Sequence, residues 1–494
     1  MAVNWLYKPN HFRSPVYSNL FIKLSFNPVN LFSHFNHALS KYSTRPISRS
    51  TDEIREEFIK YFQNHGHKFI RSSPVVPHCD PSVTFVNAGM NQFKSVFLGI
   101  NPPPAPRAVN SQKCIRVGGR HNDLEVVGSD SYHHTFFEML GSWSFGDYFK
   151  RDACKYSWEH LTKMFALDPK RLYVTYFGGE KNTGLEPDLE TREIWLEMGV
   201  PESHVLPFGV KDNFWEMGPT GPCGPCSEVH YDFHGRTLAS ERVNAGFPDL
   251  IELWNIVFIQ YVRHENGTLS PLPCKHVDTG MGLERLACVM QGVTSTYDTD
   301  IFRPLFHAIQ KITGAPAYEG KFLKDDIHGT DTAYRILADH ARMITVAIAD
   351  GMLPDHNHRL RRVIRRALSV SQDLLRKGSE GHKLLFEICA QTANSLESAY
   401  PGIVPRLESI KAVLAHEEQV LLNLRSHSSS QWSKLISKWP QLADVDVASS
   451  PGLVQAFEEL QALVRNGVKS VNEKMAFSLY DTYGLNEDFS KAIR

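Results

Sequence analysis

The stretch from Gln112 to Gly146 (QKCIRVGGRHNDLEVVGSDSYHHTFFEMLGSWSFG) constrains the fold more than any other part of the chain. An apolar and basic segment opens it, and a polar loop rich in Gly, Asn and Asp follows. Residues 134–140 then form an aromatic, strand-like run. This pattern predicts two antiparallel strands joined by a long loop. Such a loop is longer than a hairpin needs, which is typical of a functional or a disordered segment.

The side chains of this hairpin suit a nucleotide. Alternation along the second strand places His134, Phe136, Glu138 and Leu140 on one face. Arg116 on the first strand can neutralise a phosphate, Phe136 can stack on a base, and His134 or Glu138 can contact polar atoms. An amphipathic hairpin with a charged rim fits the isolated pattern equally well.

Bulk composition describes an ordinary globular protein. Of its 494 residues, 42% are hydrophobic and 22% are charged, and the formal net charge is -1. Any contact with nucleic acid must therefore come from local basic patches. No apolar run is long enough to span a membrane. The eight cysteines are scattered, which favours a reducing compartment over a disulfide framework.

The first fifty residues differ from the rest, because they contain no Asp or Glu. Their positive charges come from Lys8, Arg13, Lys23, Lys41, Arg45 and Arg49, with Ser, Phe and Leu between them. A basic, Ser-rich and acid-poor segment is typical of an organelle transit peptide. A disordered tail without a targeting role is also compatible with this composition.

Several secondary-structure elements are predicted downstream. A capping box at residues 50–53 (STDE) opens a helix. The apolar run Ile251–Gln260 predicts a buried strand interrupted by one polar residue, and a helix is expected from Leu283 onward. From about Asp331 the pattern becomes helical. Polar linkers are predicted at residues 426–431 and 444–452.

Cys223-Gly-Pro-Cys226 allows three interpretations. The wording matches thioredoxin-type redox sites, in which a helix N-terminus activates a thiolate. The following residues, 227–232 (SEVHYD), resemble a strand rather than a helix. A second C-x-x-C that would complete a zinc site is absent from the sequence. We therefore predict a structural loop first, a redox site second and a metal site third.

Four segments together closely resemble alanyl-tRNA synthetases, a family of class II aminoacyl-tRNA synthetases. They are residues 87–94 (NAGMNQFK), 133–141 (HHTFFEMLG), 254–255 (WN) and 277–285 (VDTGMGLER). The resemblance covers about Asp52 to Gly484, where Tyr480-Asp-Thr-Tyr-Gly484 matches the end of the family's tRNA-recognition region. It implies an α+β fold, with a class II synthetase-type antiparallel sheet flanked by helices and then an α-helical tRNA-recognition domain. The implied division is 1–50 transit peptide or disordered, 51–300 catalytic domain and 301–494 helical domain.

The resemblance also assigns roles to residues. It makes Arg116, Asp278 and Arg285 catalytic. The implied ATP-binding residues are Arg116, His134, Phe136, Trp215, Leu253, Trp254, Asn255, Gly282 and Arg285. The implied alanine-binding residues are Trp215, Asn255, Val257, Asp278 and Gly280. Without the resemblance, Trp215 would be read as core and Asp278 as a solvated residue at the start of a helix.

A basic segment follows at residues 359–366 (RLRRVIRR). Its arginines 361, 362, 365 and 366 pair at i,i+4 and form a strongly basic face. Because like charges repel, such a face favours a nearby anion, and the resemblance makes that anion a tRNA acceptor stem. Neutralisation by the chain's own Asp and Glu is the alternative.

The implied function is an alanine–tRNA ligase that uses ATP and Mg²⁺, acts on alanine and tRNA(Ala), and works in the mitochondrial matrix. The resemblance leaves a homodimer open and implies no membrane partner. The family's zinc-containing editing domain and its C-terminal domain have no counterpart in these residues, and no metal site is predicted here. Two other hypotheses are a catalytically inactive RNA-binding relative and a thiol redox protein.

Overall fold

The computed structural model describes residues 49–77, 83–118, 121–181, 184–236, 239–375, 378–438, 452–466 and 475. Nearly all of the predicted transit peptide lies outside these residues. The same holds for most of the predicted linker at 444–452 and for the Tyr480–Gly484 motif.

Eleven strands lie between residues 68 and 282 of the described chain, and nine of them form one mixed, mainly antiparallel sheet. The strands are β1 (Lys68–Phe69), β2 (Arg107–Ile115), β3 (Val117–Gly118), β4 (His121–Asn122), β5 (Phe136–Phe145), β6 (Leu172–Phe177), β7 (Val205–Phe208), β8 (Phe214–Glu216), β9 (Gly221–Asp232), β10 (Leu250–Arg263) and β11 (Leu269–Gly282). Their order is β1-β2-β5-β11-β10-β9-β6-β7, and β8 pairs with β9. The β1–β2 and β6–β7 pairs are parallel, whereas β3 and β4 form a separate small hairpin.

Helices flank the sheet and then make up most of the chain after residue 301. They are α1 (Thr51–Asn64), α2 (Lys94–Phe97), α3 (Lys150–Glu159), α4 (Leu189–Glu197), α5 (Val210–Asn213), α6 (Leu283–Met290), α7 (Arg303–Thr313), α8 (Thr330–Ala349), α9 (His358–Ser369), α10 (Gly381–Leu396), α11 (Leu407–Lys438) and α12 (Leu453–Arg465). The capping box at the start of α1 is formed by Ser50 and Glu53, as the sequence predicts. The predicted α+β class is confirmed.

The predicted hairpin is present, and its strands present different residues to the two faces of the sheet. β2 and β5 pair antiparallel, with Lys113 opposite Glu138. Leu140 joins a core that α1, α3, α4 and α6 form on one face, whereas Trp143 belongs to a core on the other face. Because alternate residues of a strand point to opposite faces, β5 serves both cores at once.

The helices after residue 301 pack against the end of this hairpin. Ile115 and Phe136 belong to the same hydrophobic cluster as α7 to α11. Arg342 of α8 also donates a hydrogen bond to the Phe136 carbonyl at 3.3 Å. The predicted boundary at residue 300 therefore crosses continuous packing, and the division into two domains stays a prediction.

Two local predictions are wrong. Cys223 and Cys226 lie inside strand β9, where both are buried, rather than in a loop. Burial raises the pKa of Cys223 to about 12 and that of Cys226 well above its usual value, the opposite of an activated thiolate. Residues 426–431 continue α11 instead of forming a linker. Within the part of the chain that the structure describes, no helix is long and apolar enough to cross a membrane.

Candidate active site

A pocket opens between the β5 hairpin, β8 to β11 and the start of α6. It is lined by Ala88, Arg116, Asp123, Tyr132, His133, His134, Phe137, Met139, Trp215, Glu228, Glu252, Leu253, Asn255, Val257, Asp278, Gly280, Gly282, Glu284 and Arg285. The structure thus brings together residues from segments about 200 positions apart in the sequence. All three residues predicted to be catalytic line this pocket.

Arg116 lies at the mouth of the hairpin, directly after β2. Its Nε donates to the Asn87 carbonyl at 3.2 Å, and its guanidinium lies 4.8 Å from the centre of the Phe137 ring. A cation held over an aromatic face keeps its planar fork available for an anion such as a phosphate.

The structure places Phe137 in the pocket, whereas the neighbouring Phe136, the predicted nucleotide-binding residue, does not line it. Phe136 is fully buried and packs with the helical core, whereas Phe137 lines the pocket. The phase of the strand is therefore opposite to the predicted one, so Phe137 and Met139 face the pocket. Glu138 points to the opposite face, where it accepts hydrogen bonds from Arg55.

His134 reaches the pocket but is already held by the protein. Its Nε2 lies 2.8 Å from the Thr296 hydroxyl and its Nδ1 lies 3.3 Å from an Asp339 carboxylate oxygen. The hydrogen bonds from His134 and His340 help to hold the pKa of Asp339 well below its usual range, against the effect of burial. Helix α8 thereby anchors the end of the loop that joins β2 to β5.

Arg285 emerges from the first turn of α6 on the far side of the pocket. It donates to the Glu252 carbonyl at 3.0 Å, and the Glu252 carboxylate lies 3.4 Å away. Its guanidinium also lies 5.3 Å from the centre of the Tyr132 ring. Arg116 and Arg285 thus present two cations to one cavity, an arrangement that suits a polyphosphate.

Asp278 is a buried carboxylate without a cationic partner among the described residues. It lies on β11 between Val257 of β10 and Trp143 of β5, and the Trp143 indole N–H donates to its Oδ1. Burial raises its pKa to about 7, and the bond from Trp143 only partly opposes this effect. An ionised carboxylate in such surroundings favours a cationic ligand.

The residues around Asp278 make a small, mostly apolar subsite. Trp215 and Val257 border it, and the buried Asn255 Oδ1 has no hydrogen-bond partner among the residues that the structure describes. Gly280 lies beside Met139, since a Cβ at this glycine would come within 2.6 Å of the methionine sulfur. A short aliphatic chain that carries an ammonium group fits this combination of partners.

Trp254 is the other predicted site residue that does not reach the pocket. It is fully buried and packs against Phe58 and Phe62 of α1, whereas the neighbouring Leu253 lines the cavity. A shift in register between β9 and β10 at Glu252 to Trp254 changes which side chains face the pocket. Gly282 lines the cavity as predicted.

The basic face of α9 is divided into two rows. Arg361 and Arg365 both contact the Glu417 carboxylate of α11 at 3.3 Å. In the other row, Arg362 pairs with Glu125 at 2.8 Å, and Arg366 donates to the Leu124 carbonyl. The i,i+4 pairing is as predicted, and Arg361, Arg362 and Arg365 pair with carboxylates of the chain, as in the alternative that the sequence left open, whereas the partner of Arg366 is a backbone carbonyl.

Several pocket residues are missing from the sequence-based prediction. Phe137, Met139, Tyr132, Glu228 and Glu252 all line the cavity. For Phe137 and Met139 the sequence does carry a signal, because the alternation along β5 places them together on one face. It does not show which of the two faces lines the pocket. For Glu228 and Glu252 the sequence carries no comparable signal, since both lie in buried strands.

A divalent cation with ATP would find oxygen donors here. The carboxylates of Glu228 and Glu252 line the pocket, and Mg²⁺ prefers oxygen ligands. Across the described ranges, no group of three or more His, Cys, Asp or Glu is placed to hold a metal by itself. A cation that arrives with nucleotide phosphates fits these donors, because Mg²⁺ commonly binds through one or two carboxylates plus phosphates.

Comparison with known proteins gives a consistent result. Relatives include the mitochondrial alanine–tRNA ligases of Drosophila melanogaster (53% identical over 444 residues, 88% of this chain) and Saccharomyces cerevisiae (45% over 467 residues, 91%). A cytoplasmic alanine–tRNA ligase of Bombyx mori is 47% identical over 455 residues, 90% of this chain. The matches cover 43%, 45% and 44% of these relatives, so the chain spans less than half of their length. Residues 53–436 match the family described as tRNA synthetases class II (A), and the chain therefore belongs to that family.

Proposed function

We propose that this chain activates alanine with ATP and transfers the alanyl group to the 3′ end of tRNA(Ala) in the mitochondrial matrix. Asp278 is the observation that carries the proposal. It is a buried carboxylate that lacks a cation and lies in a pocket with two arginines, and an α-ammonium group supplies the missing charge. The similarity to three alanine–tRNA ligases supports the choice of alanine.

The amino-acid subsite accounts for the binding of a small substrate. Asp278 and the unpartnered Asn255 Oδ1 accept hydrogen bonds from the ammonium group. The Trp215 ring and the Val257 side chain leave room for a methyl group. Gly280 lets Met139 pack directly against the backbone of β11, because a Cβ at this position would collide with the methionine sulfur.

The two arginines account for the first chemical step. An oxygen of the alanine carboxylate attacks the ATP α-phosphorus, forming alanyl-adenylate, and the bond to pyrophosphate breaks. No protein nucleophile is needed, so positioning and charge neutralisation provide the rate. Arg116 serves the α-phosphate and the carboxylate, Arg285 the γ-phosphate, and Phe137 offers a ring beside Arg116. Glu228 or Glu252 would hold Mg²⁺, which would neutralise phosphate charge.

The later step and the location rest on other features. The arginines of α9 and the helices around them are the proposed surface for the tRNA acceptor stem. The acid-poor first fifty residues and the two mitochondrial relatives support import into mitochondria. A homodimer stays a prediction, for which light scattering of the purified chain is the measurement.

Alanine-dependent ATP–pyrophosphate exchange by the full chain tests the proposal. We expect exchange by the wild type, and a loss of at least about 100-fold in Asp278→Asn, which removes the charge but keeps an acceptor for Trp143. Asp325→Asn, an equal change at an exposed site, should leave the rate unaltered. Tight tRNA binding without any exchange would instead support the inactive RNA-binding alternative.

A further inference from the structure

The Trp143 ring packs in a space that two glycines leave open. It is fully buried on β5, directly opposite Asp278 of β11. A Cβ at Gly141 or Gly89 would come within 2.1 Å or 2.8 Å of its ring. Two glycines therefore allow the ring to lie flat against the backbone with its N–H directed at the Asp278 carboxylate.

Trp143 is the one hydrogen-bond donor to that carboxylate among the described residues. The other charged or titratable groups facing the pocket are Arg116, Asp123, Tyr132, His133, His134, Glu228, Glu252, Glu284 and Arg285. The buried Cys114 thiol of β2 also feels the charge of Asp278. Only burial and the bond from Trp143 shift the pKa of Asp278, so no arginine of the pocket neutralises it.

A neutral donor has a particular consequence at this position. An arginine or lysine in place of the indole would neutralise the carboxylate and compete with an incoming ammonium group. The indole N–H fixes one oxygen and leaves the negative charge uncompensated. The carboxylate is therefore oriented before the substrate binds, while its attraction for a cation is kept.

We propose that Trp143 is a positioning residue for amino-acid activation, whose indole N–H orients the Asp278 carboxylate to receive the substrate ammonium group. This role rests on the proposed function. Strand β5 would then contribute to the site twice, through Phe137 beside Arg116 and through Trp143 beside Asp278. Trp143 itself does not line the cavity, so it acts through Asp278.

Trp143→Phe is the direct test, because it removes the donor and keeps an aromatic ring, and a matched control accounts for the smaller size of that ring. In pyrophosphate exchange we expect the KM for alanine to rise about 10-fold, the range for a lost hydrogen bond to a charged group. The kcat and the KM for ATP should stay within about twofold. Since the bond lowers the pKa of Asp278, its loss should also move the acidic limb of kcat/KM for alanine to higher pH.

Trp195→Phe is the matched control. Trp195 is equally buried and donates its indole N–H to the Ser227 hydroxyl at 2.9 Å, outside the pocket. It should leave the KM for alanine and the pH profile unchanged. Equal losses in both variants, or a change in kcat and the ATP KM as large as that in the alanine KM, would show a structural role and overturn the proposal.

A second readout does not depend on catalysis. The indole N–H signal of Trp143, identified among eight tryptophans by its absence in Trp143→Phe, should shift with pH around neutrality and cease to do so in Asp278→Asn. A signal insensitive to both changes would overturn the proposal. Absence of exchange in the wild type, with a titrating signal, would overturn the proposed function and the positioning role while the pairing itself stands.

Discussion

Two buried carboxylates on neighbouring strands, Glu138 and Asp278, have opposite surroundings. Glu138 receives two hydrogen bonds of 2.7 Å from Arg55 and further bonds from Ser111 and Tyr400, so its pKa is lowered even though burial opposes this. Among the described residues, the Asp278 carboxylate accepts a hydrogen bond only from Trp143, and burial raises its pKa to about 7. The two lie on opposite faces of one sheet.

The difference separates a structural charge from a binding charge. A buried carboxylate whose partners are all supplied by the chain joins elements together, here α1, β2, β5 and the turn at Tyr400. A buried carboxylate left without a cation costs stability and is retained where a ligand provides the partner. One face of the sheet therefore connects it to the later helices, and the other is the proposed binding face.

Removing the charge of Glu138 should have the largest effect on stability. Glu138→Gln removes the buried counter-charge of the Arg55 guanidinium and leaves it only the half-exposed carboxylate of Asp52, so we expect a loss of about 3–5 kcal/mol in the free energy of unfolding. Urea denaturation at neutral pH measures it. Glu197→Gln, which breaks the exposed pair with Arg151, is the control and should cause no measurable change. Similar losses in both variants would contradict the comparison.

The opposite sign is expected at the second carboxylate. The folded-state pKa of Asp278 lies above its ordinary value of 3.8, so its contribution to stability is present at low pH and is lost as pH rises through about 7. Asp278→Asn removes that loss and should stabilise the protein by roughly 2–4 kcal/mol at pH 8, at about 1.4 kcal/mol per pKa unit. The gain should vanish at pH 4. A destabilised variant at pH 8 would refute this interpretation of the site.

A third carboxylate gives a smaller, intermediate case. Glu417 is buried, but its partners Arg361 and Arg365 are about one-third exposed and can be hydrated when it is neutralised. We expect Glu417→Gln to cost about 1 kcal/mol in urea denaturation. Because Arg365 then loses this carboxylate and Arg361 keeps only the exposed Asp355, the affinity for tRNA should increase, with a steeper dependence on salt. A loss as large as that of Glu138→Gln would show that exposure of the partners does not matter.

Much of the fold could be predicted because it depends on local pattern. The capping box of α1, the β2–β5 hairpin, the apolar run of β10 and the start of α6 all follow from neighbouring residues. The loop prediction for Cys223 and Cys226 was wrong because it also used only local pattern. Cys-Gly-Pro-Cys reads locally as a turn, but Gly224 allows close approach of the Phe258 carbonyl, and the segment pairs within β9.

Part of the candidate site could be predicted, namely three of its charged residues, whereas the strand faces that line the pocket could not. Arg116, Asp278 and Arg285 occur in segments with distinctive wording, and all three reach the pocket. Phe136 and Phe137 are identical neighbours, so composition cannot decide which one faces outward. Their facing follows from packing, since Phe136 fits among helices that come more than 150 residues later.

By itself the sequence determined the family, the class of fold and three charged residues of the pocket, Arg116, Asp278 and Arg285. These depend on residue identity and on periods of two or 3.6, which the chain carries locally. Only the tertiary structure decided which charges are neutralised. Arg55 and Glu138 lie 83 positions apart in the sequence, and Trp143 and Asp278 lie 135 positions apart. The ionisation of a buried carboxylate depends on such distant partners, because burial leaves no solvent to replace them.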